Sequence, residues 1–150
     1  MTEPTGAAGA AGLVRWGVLG TGKIARNYVF EAIRDAELCE LAAVASRDRE
    51  RGRAAADEFG IGRVHDTYEA LLADSEIDAV YLPLPNELHA PWIRAAADAG
   101  KHILCEKPLT LDAAEAEAVA AYCAEREVLL MEAFMYRFQP AWTEARRLLA

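Results

Sequence analysis

The chain has 150 residues, 53% hydrophobic and 27% charged, with a formal net charge of −8. That length suits one domain burying roughly 70% of its unfolded surface, and the acidic balance argues against general nucleic-acid binding, because a polyanion is repelled without a strong basic patch. No apolar run approaches the ~20 residues of a membrane span, and Cys39, Cys105 and Cys123, with His65, His89 and His102, are too scattered for a disulfide framework or a metal site.

Residues 1–12 are small and polar, without the basic and apolar regions of a signal peptide, so a flexible tail and a cytoplasmic location are expected. Residues 14–19 (VRWGVL) form a short apolar run closed by glycine, as in a buried parallel strand. A helix is expected over 24–36, a second strand over 38–45, and a charged helix over 48–59 that Gly60 ends. A short strand at 64–65 and a helix at 68–73 come next. Residues 78–84 (DAVYLPL) read as the fourth strand, 87–99 as a helix stopped by Gly100, and 102–105 as the fifth strand. Leu111, Glu115, Ala118, Val119, Tyr122 and Cys123 fall at helical spacing, which predicts a helix over 112–126 with Asp112 and Glu115 as a capping box. A sixth strand is expected over 128–131, and residues 140–150 begin a further amphipathic helix.

Six alternations of strand and helix with short connections call for an α/β fold: a doubly wound parallel sheet with right-handed crossovers and helices on both faces. Such sheets bind ligands at the carboxyl ends of their strands. At the end of the first strand, Gly20-Thr21-Gly22-Lys23-Ile24-Ala25 matches G-x-G-x-x-A, the fingerprint of the Rossmann fold. The first glycine permits a tight turn, the second lets the backbone approach a pyrophosphate, and Ala25 keeps helix and strand close. Free N–H groups at the helix start then meet the phosphates.

An NAD site places an acidic residue about 20 positions beyond the fingerprint, where it accepts hydrogen bonds from the adenosine ribose and repels a 2′-phosphate. Here that register, 21 positions after Ala25, holds Ser46 followed by Arg47. Arg51 lies one helical turn after Arg47, so the two can grip a 2′-phosphate while Arg47 stacks on adenine. NADP(H) is therefore favoured over NAD(H). Arg49 and Arg53 read as a solvated helix face.

The fifth strand closes with Glu106-Lys107-Pro108. Lysine occurs only at positions 23, 101 and 107, and a partly buried amine beside other cations can exchange a proton with a substrate hydroxyl or carbonyl. Pro108 restricts Lys107 to an extended backbone and admits a cis peptide bond, an arrangement suited to aiming the side chain into the cleft.

The segments GVLGTGKIA, AVASRDRERGRAAADEFG, DAVYLPLPNELHAPWIRAAADAGKHILCEKPL and MEAFMYRFQP together resemble the glucose–fructose oxidoreductase/inositol dehydrogenase/rhizopine-catabolism (Gfo/Idh/MocA) family, over Arg15 to Pro140. Within it the chain is most similar to the dihydrodiol and NADP-dependent xylose dehydrogenase group. The resemblance implies an oxidoreductase that moves hydride between a nicotinamide cofactor and a sugar, cyclitol or diol. It implies that Lys107 contacts the nicotinamide ribose and the substrate oxygen, with Glu106 near that ribose. It places Leu82, Pro83, Leu84, Asn86 and His89 along the cofactor, and Tyr136 and Arg137 beside the substrate. Gln139 stands where related sequences often carry histidine. The family also implies a C-terminal α/β substrate domain. The expected division is thus a tail at 1–12, the Rossmann domain at 13–138, and at 139–150 the start of a linker helix to a substrate domain this sequence lacks. On that expectation the chain is a truncated, cofactor-binding portion, inactive alone, whose seam of Phe134, Tyr136, Phe138 and Trp142 favours self-association. The alternative is a non-catalytic module that senses NADP(H) or completes a partner chain.

Overall fold

The computed structural model describes residues 12–149. The expected tail lies almost wholly outside the described residues. Six strands, β1 (Val14–Leu19), β2 (Cys39–Ala45), β3 (Arg63–His65), β4 (Ala79–Leu82), β5 (His102–Cys105) and β6 (Leu130–Glu132), form one sheet in the order β3-β2-β1-β4-β5-β6. Every pairing is parallel. The winding reverses between β1 and β4, which opens a crevice above their carboxyl ends.

Alternate residues of the strands face opposite ways, so the sheet carries an apolar layer on each side. On one face Val18, Val44 and Tyr81 pack with Phe30 and Ile33 of α1 (Phe30–Asp35) and Phe59 of α2 (Arg49–Phe59). Phe30 and Phe59 meet edge to face at 5.0 Å. On the other face Leu19, Val80, Leu82 and Ile103 pack against α3 (Tyr68–Leu72), α4 (His89–Asp98) and α5 (Ala113–Glu125) through Leu71, Ile93 and Val119. A last helix, α6 (Pro140–Leu149), follows a 3-10 turn at Met135–Phe138 and has no buried residue. No helix among the described residues is long and apolar enough to cross a membrane.

The helix ends follow local chemistry. The Asp48 carboxylate accepts from the Arg51 amide at 3.1 Å and starts α2, while Gly60, at φ 70°, ends it. Asp112 accepts from the Glu115 amide at 2.8 Å, as a capping box requires, but Glu115 reaches back to the Leu111 amide instead of closing on Asp112.

Several boundaries differ from the sequence expectation, among them the helix expected over 87–99, which is a 3-10 turn at Asn86–Leu88 followed by α4. The first helix opens with a π-turn at Ala25–Val29 before α1. β4 stops at Leu82, because Pro83 has no amide to continue the ladder. β6 starts two residues late: Glu127, at φ 56°, and Val128, whose amide donates to the Cys123 carbonyl, are still finishing the turn out of α5.

The amino-terminal edge of the sheet holds a polar anchor. Arg15 donates to both Asp78 carboxylate oxygens at 2.8–2.9 Å and to Glu76 at 2.6 Å. The hydrogen bonds from Arg15 hold the Asp78 carboxyl down at about 2, against the opposing effect of burial. Lys101 is buried, and its ammonium donates to the Asp74 and Ile77 carbonyls at 2.8 and 2.7 Å.

Candidate functional site

A cleft of about 520 Å³ opens at the switch point, between the glycine turn after β1, the Ser46–Asp48 segment after β2, and the Pro83–Pro85 loop after β4. Gly20 adopts φ +115°, a conformation side-chain-bearing residues rarely reach, and its amide donates to the Ala45 carbonyl at 2.8 Å. Gly22 is exposed at the mouth, where a β-carbon would sit 3.5 Å from the Pro83 carbonyl oxygen. Thr21 and Ile24 are half-buried, Lys23 is exposed, and Ala25 is fully buried beneath the turn. The run from Lys23 therefore leads its unpaired amides to the cleft, a setting for anionic oxygens.

Across the cleft Ser46 is buried, and its Oγ accepts from the Asp48 amide at 3.3 Å. Arg47 is exposed beside it. Arg51 reaches the Asp48 carboxylate at 3.3 Å, so the acidic group nearest the arginines already has two partners, the Arg51 amide and guanidinium. Arg49 pairs with Asp66 on the solvated face and Arg53 is exposed, as expected for residues outside the cleft.

The lysine turn follows β5. Glu106 accepts from the Tyr81 hydroxyl at 2.7 Å with one oxygen and from the Lys107 amide at 3.1 Å with the other. Burial, and then the Glu106 hydrogen bond, push the Tyr81 phenol well above its usual range, so it stays a donor. The Lys107–Pro108 peptide is cis. Burial likewise pushes the Cys105 thiol up to about 12, which makes it an inert core residue.

The expected site residues fall in different surroundings. Lys107 is exposed, not partly buried, because no described residue packs over it. Leu82 is fully buried in the core, and its carbonyl accepts the Glu106 amide, so it supports the strand end without lining the cleft. His89 is also fully buried: its Nδ1 stands 2.9 Å from the Pro108 carbonyl oxygen and its Nε2 2.8 Å from that of Leu84. Carbonyl oxygens only accept, so the ring is the donor in either contact. His89 thus braces the β4 loop against the lysine turn from behind. Pro83 and Leu84 do line the cleft, while Asn86 is exposed at the start of a 3-10 turn beyond it. Tyr136 and Arg137 are exposed in the Met135–Phe138 turn, apart from the cleft lining, with Tyr136 tilted against Phe134 at 5.5 Å and edge to face with Trp142 at 5.2 Å. Gln139 caps that turn and accepts from Trp142 and Thr143.

Glu132 is among the residues that escaped the sequence reading. It ends β6 and accepts from the Leu109 amide at 2.8 Å, a second tie on the lysine turn beside that of His89 to Pro108. Its signal was its place in MEAFMYRFQP at a strand end; its partner lies 23 residues away, and only the β5–β6 pairing joins them.

A glycine turn with one positive-φ position, a cleft at the switch point and a strand-end lysine define a dinucleotide-binding domain of the doubly wound class. A family model for the Gfo/Idh/MocA oxidoreductases, an oxidoreductase family with an NAD-binding Rossmann fold, matches residues 14–134. The chain belongs to that family. It is 56% identical over 135 residues to D-xylose 1-dehydrogenase (NADP(+)) 2 of Haloferax volcanii, covering 90% of this chain and 41% of that protein. It is 34% identical over 137 residues to trans-1,2-dihydrobenzene-1,2-diol dehydrogenase of Xenopus tropicalis, covering 91% and 42%. Among solved structures, a 3-ketoreductase from Actinomadura kijaniata in complex with TDP-benzene and NADP superposes with a TM-score of 0.86 at 42% identity, over 91% of this chain and 43% of that one. The chain therefore spans about 40% of the length of these relatives.

Proposed function

We propose that this chain is the NADP(H)-binding portion of an oxidoreductase acting on a sugar, cyclitol or diol. The observation that carries the reading is the convergence on one cleft of Gly20–Gly22, Ser46–Arg47 and the β4 loop, with the lysine turn tied to that loop through His89. The residues fit the dinucleotide. The glycine turn offers backbone amides without side chains in the way, the end of β2 carries a cation in place of a carboxylate, and Asp48 is occupied by Arg51. The named activities of the relatives, oxidation of D-xylose and of a dihydrodiol with NADP(+) specified for the first, point the same way.

A bound nicotinamide cofactor would supply hydride acceptance or donation at a substrate carbon. The chain's own residues do the rest. Arg47 and Arg51 would hold the 2′-phosphate, and the flat Arg47 guanidinium would also suit stacking on adenine. Lys107 holds the substrate oxygen and moves its proton. Glu106, Glu132 and His89 fix the backbone on which Lys107 stands. Exclusion of water from the reacting carbon and the remaining substrate contacts fall to the C-terminal half such relatives carry, so this portion alone is expected to bind cofactor without turnover. Tyr136 and Arg137 then border the substrate from the crossing segment. Met135, Tyr136, Phe138 and Trp142 are 65%, 43%, 68% and 47% exposed, and that apolar seam is expected to drive self-association of the isolated chain.

Arg47→Asp tests the cofactor choice. It is expected to weaken NADPH at least about 30-fold and NADH less than about 3-fold, since only the former carries a 2′-phosphate; equal losses overturn the assignment. Fused to the C-terminal portion of the xylose dehydrogenase relative, the chain is expected to support NADP(+)-dependent sugar oxidation that Lys107→Ala abolishes while cofactor affinity survives. Unchanged turnover in that variant contradicts the role of Lys107.

A further inference from the structure

We infer that the Tyr68 hydroxyl is a ligand of the dinucleotide, hydrogen-bonding an oxygen of its adenosine-side ribose phosphate; this rests on the cleft being the NADP(H) site proposed above. Tyr68 begins α3, with Thr67 accepting from the Ala70 amide as the cap. The residue is 7% exposed, and its ring sits edge to face on Trp92 at 5.0 Å within the core. A phenylalanine would fill that place equally well, so packing does not account for the oxygen.

The hydroxyl does not end in the core. Tyr68 lines the cleft, and its Oη lies 3.5 Å from the point where a β-carbon on Gly20 would stand. Among the described residues it has no hydrogen-bond partner, yet it is not a sealed polar atom, a condition found only at Trp16 Nε1. The hydroxyl is thus open to the cleft, unpaired with the protein and directed at the phosphate turn, where an oxygen of an entering ligand can accept from it in place of water. Ser46 Oγ, on the neighbouring wall, is already engaged by Asp48. The 2′-phosphate is the part of the ligand assigned above to Arg47 and Arg51, which line the same cleft. What remains for Tyr68 is the ribose and the 5′-phosphate that every form of the cofactor shares. Tyr68 therefore contributes affinity without choosing between NADPH and NADH, the reverse of Arg47.

The test is titration of wild type and Tyr68→Phe with NADPH, NADH and 2′,5′-ADP, alongside thermal melts of the unliganded proteins. A loss of about 10-fold for all three ligands, with the melting temperature unchanged, is the expected result. Affinities within about 2-fold of wild type, or a loss for NADPH that spares 2′,5′-ADP, overturn the inference. A crystal structure of the wild-type chain with 2′,5′-ADP gives an answer that does not depend on the variant folding. The hydroxyl within about 3 Å of a ribose or 5′-phosphate oxygen supports the contact, and a hydroxyl bonded only to water removes it. If wild type binds none of the three ligands, the cofactor reading falls and takes this one with it; if wild type binds and Tyr68→Phe binds equally, only this one falls.

Discussion

Two glycines of the phosphate turn do different work, and alanine at each separates binding from folding. At Gly22 the backbone is outside the left-handed region, and an added methyl group would sit 3.5 Å from the Pro83 carbonyl oxygen, an ordinary contact. The fold should accept it, with the unliganded melting temperature within about 1–2 °C of wild type. The same methyl group stands where a pyrophosphate must come close to the backbone. Forcing the phosphate outward forfeits at least one charge-assisted hydrogen bond, about 1.5–3 kcal/mol, or roughly 10- to 100-fold in affinity. At Gly20 the added atom meets Leu84 and Tyr68 at 3.5 Å, again without collision, but the backbone stands at φ +115°. Strain there costs on the order of 1–3 kcal/mol, which lowers the melting temperature of a domain this size by roughly 3–10 °C. Thermal melts followed by circular dichroism, paired with NADPH titrations, read both quantities on the same samples. Gly22→Ala binding as tightly as wild type, or losing as much stability as Gly20→Ala, would refute the placement of the pyrophosphate.

Three other outcomes follow from the packing and the charges. Lys101→Met leaves the Asp74 and Ile77 carbonyls without their buried donor and should cost roughly 2–5 kcal/mol in urea denaturation; a loss under about 1 kcal/mol contradicts the role given to the ammonium. Asp78 titrates near 2 in the fold and near 3.9 unfolded, so its pairing with Arg15 stabilises fully above about pH 4 and is lost as pH falls from 4 towards 2. The difference in urea midpoint between wild type and Asp78→Asn should therefore stay level from pH 7 to 5 and close towards pH 2; a gap unchanged at pH 2 rules the pairing out. Glu132→Leu should speed hydrogen exchange of the Leu109 amide at least about 10-fold, while Glu132→Gln, which keeps an acceptor, should not; equal protection in both variants means the brace is absent.

Much of this molecule is legible locally. The strand–helix alternation, the Gly20–Ala25 turn, the Asp112 cap and the Gly60 stop depend on residues within a few positions of one another, and all lie where the sequence places them. Ser46 and Arg47 were readable because distance from the glycine turn determines where β2 must end. What escaped depends on partners brought together only by the sheet. The Arg15–Asp78 pair spans 63 residues, and Glu132 meets Leu109 across 23. His89 and Leu82 looked like cleft residues because PLPNELH reads as one loop, whereas the strand runs to Leu82 and the helix starts at His89, burying both ends and leaving the middle at the cleft. Tyr68 gave no signal of its own, since an aromatic residue opening an amphipathic helix looks like core, and here most of it is. The late start of β6 turns on the positive φ of Glu127, which no pattern of hydrophobic residues discloses.

The account stands or falls on whether this chain holds an NADP dinucleotide in the crevice between β1 and β4. Calorimetric titration of the 150-residue protein with NADPH and with NADH addresses that directly. Saturable one-to-one binding of NADPH, tighter than NADH by about 10-fold or more, is the predicted result. No heat with either nucleotide, or equal preference for NADH, would contradict it.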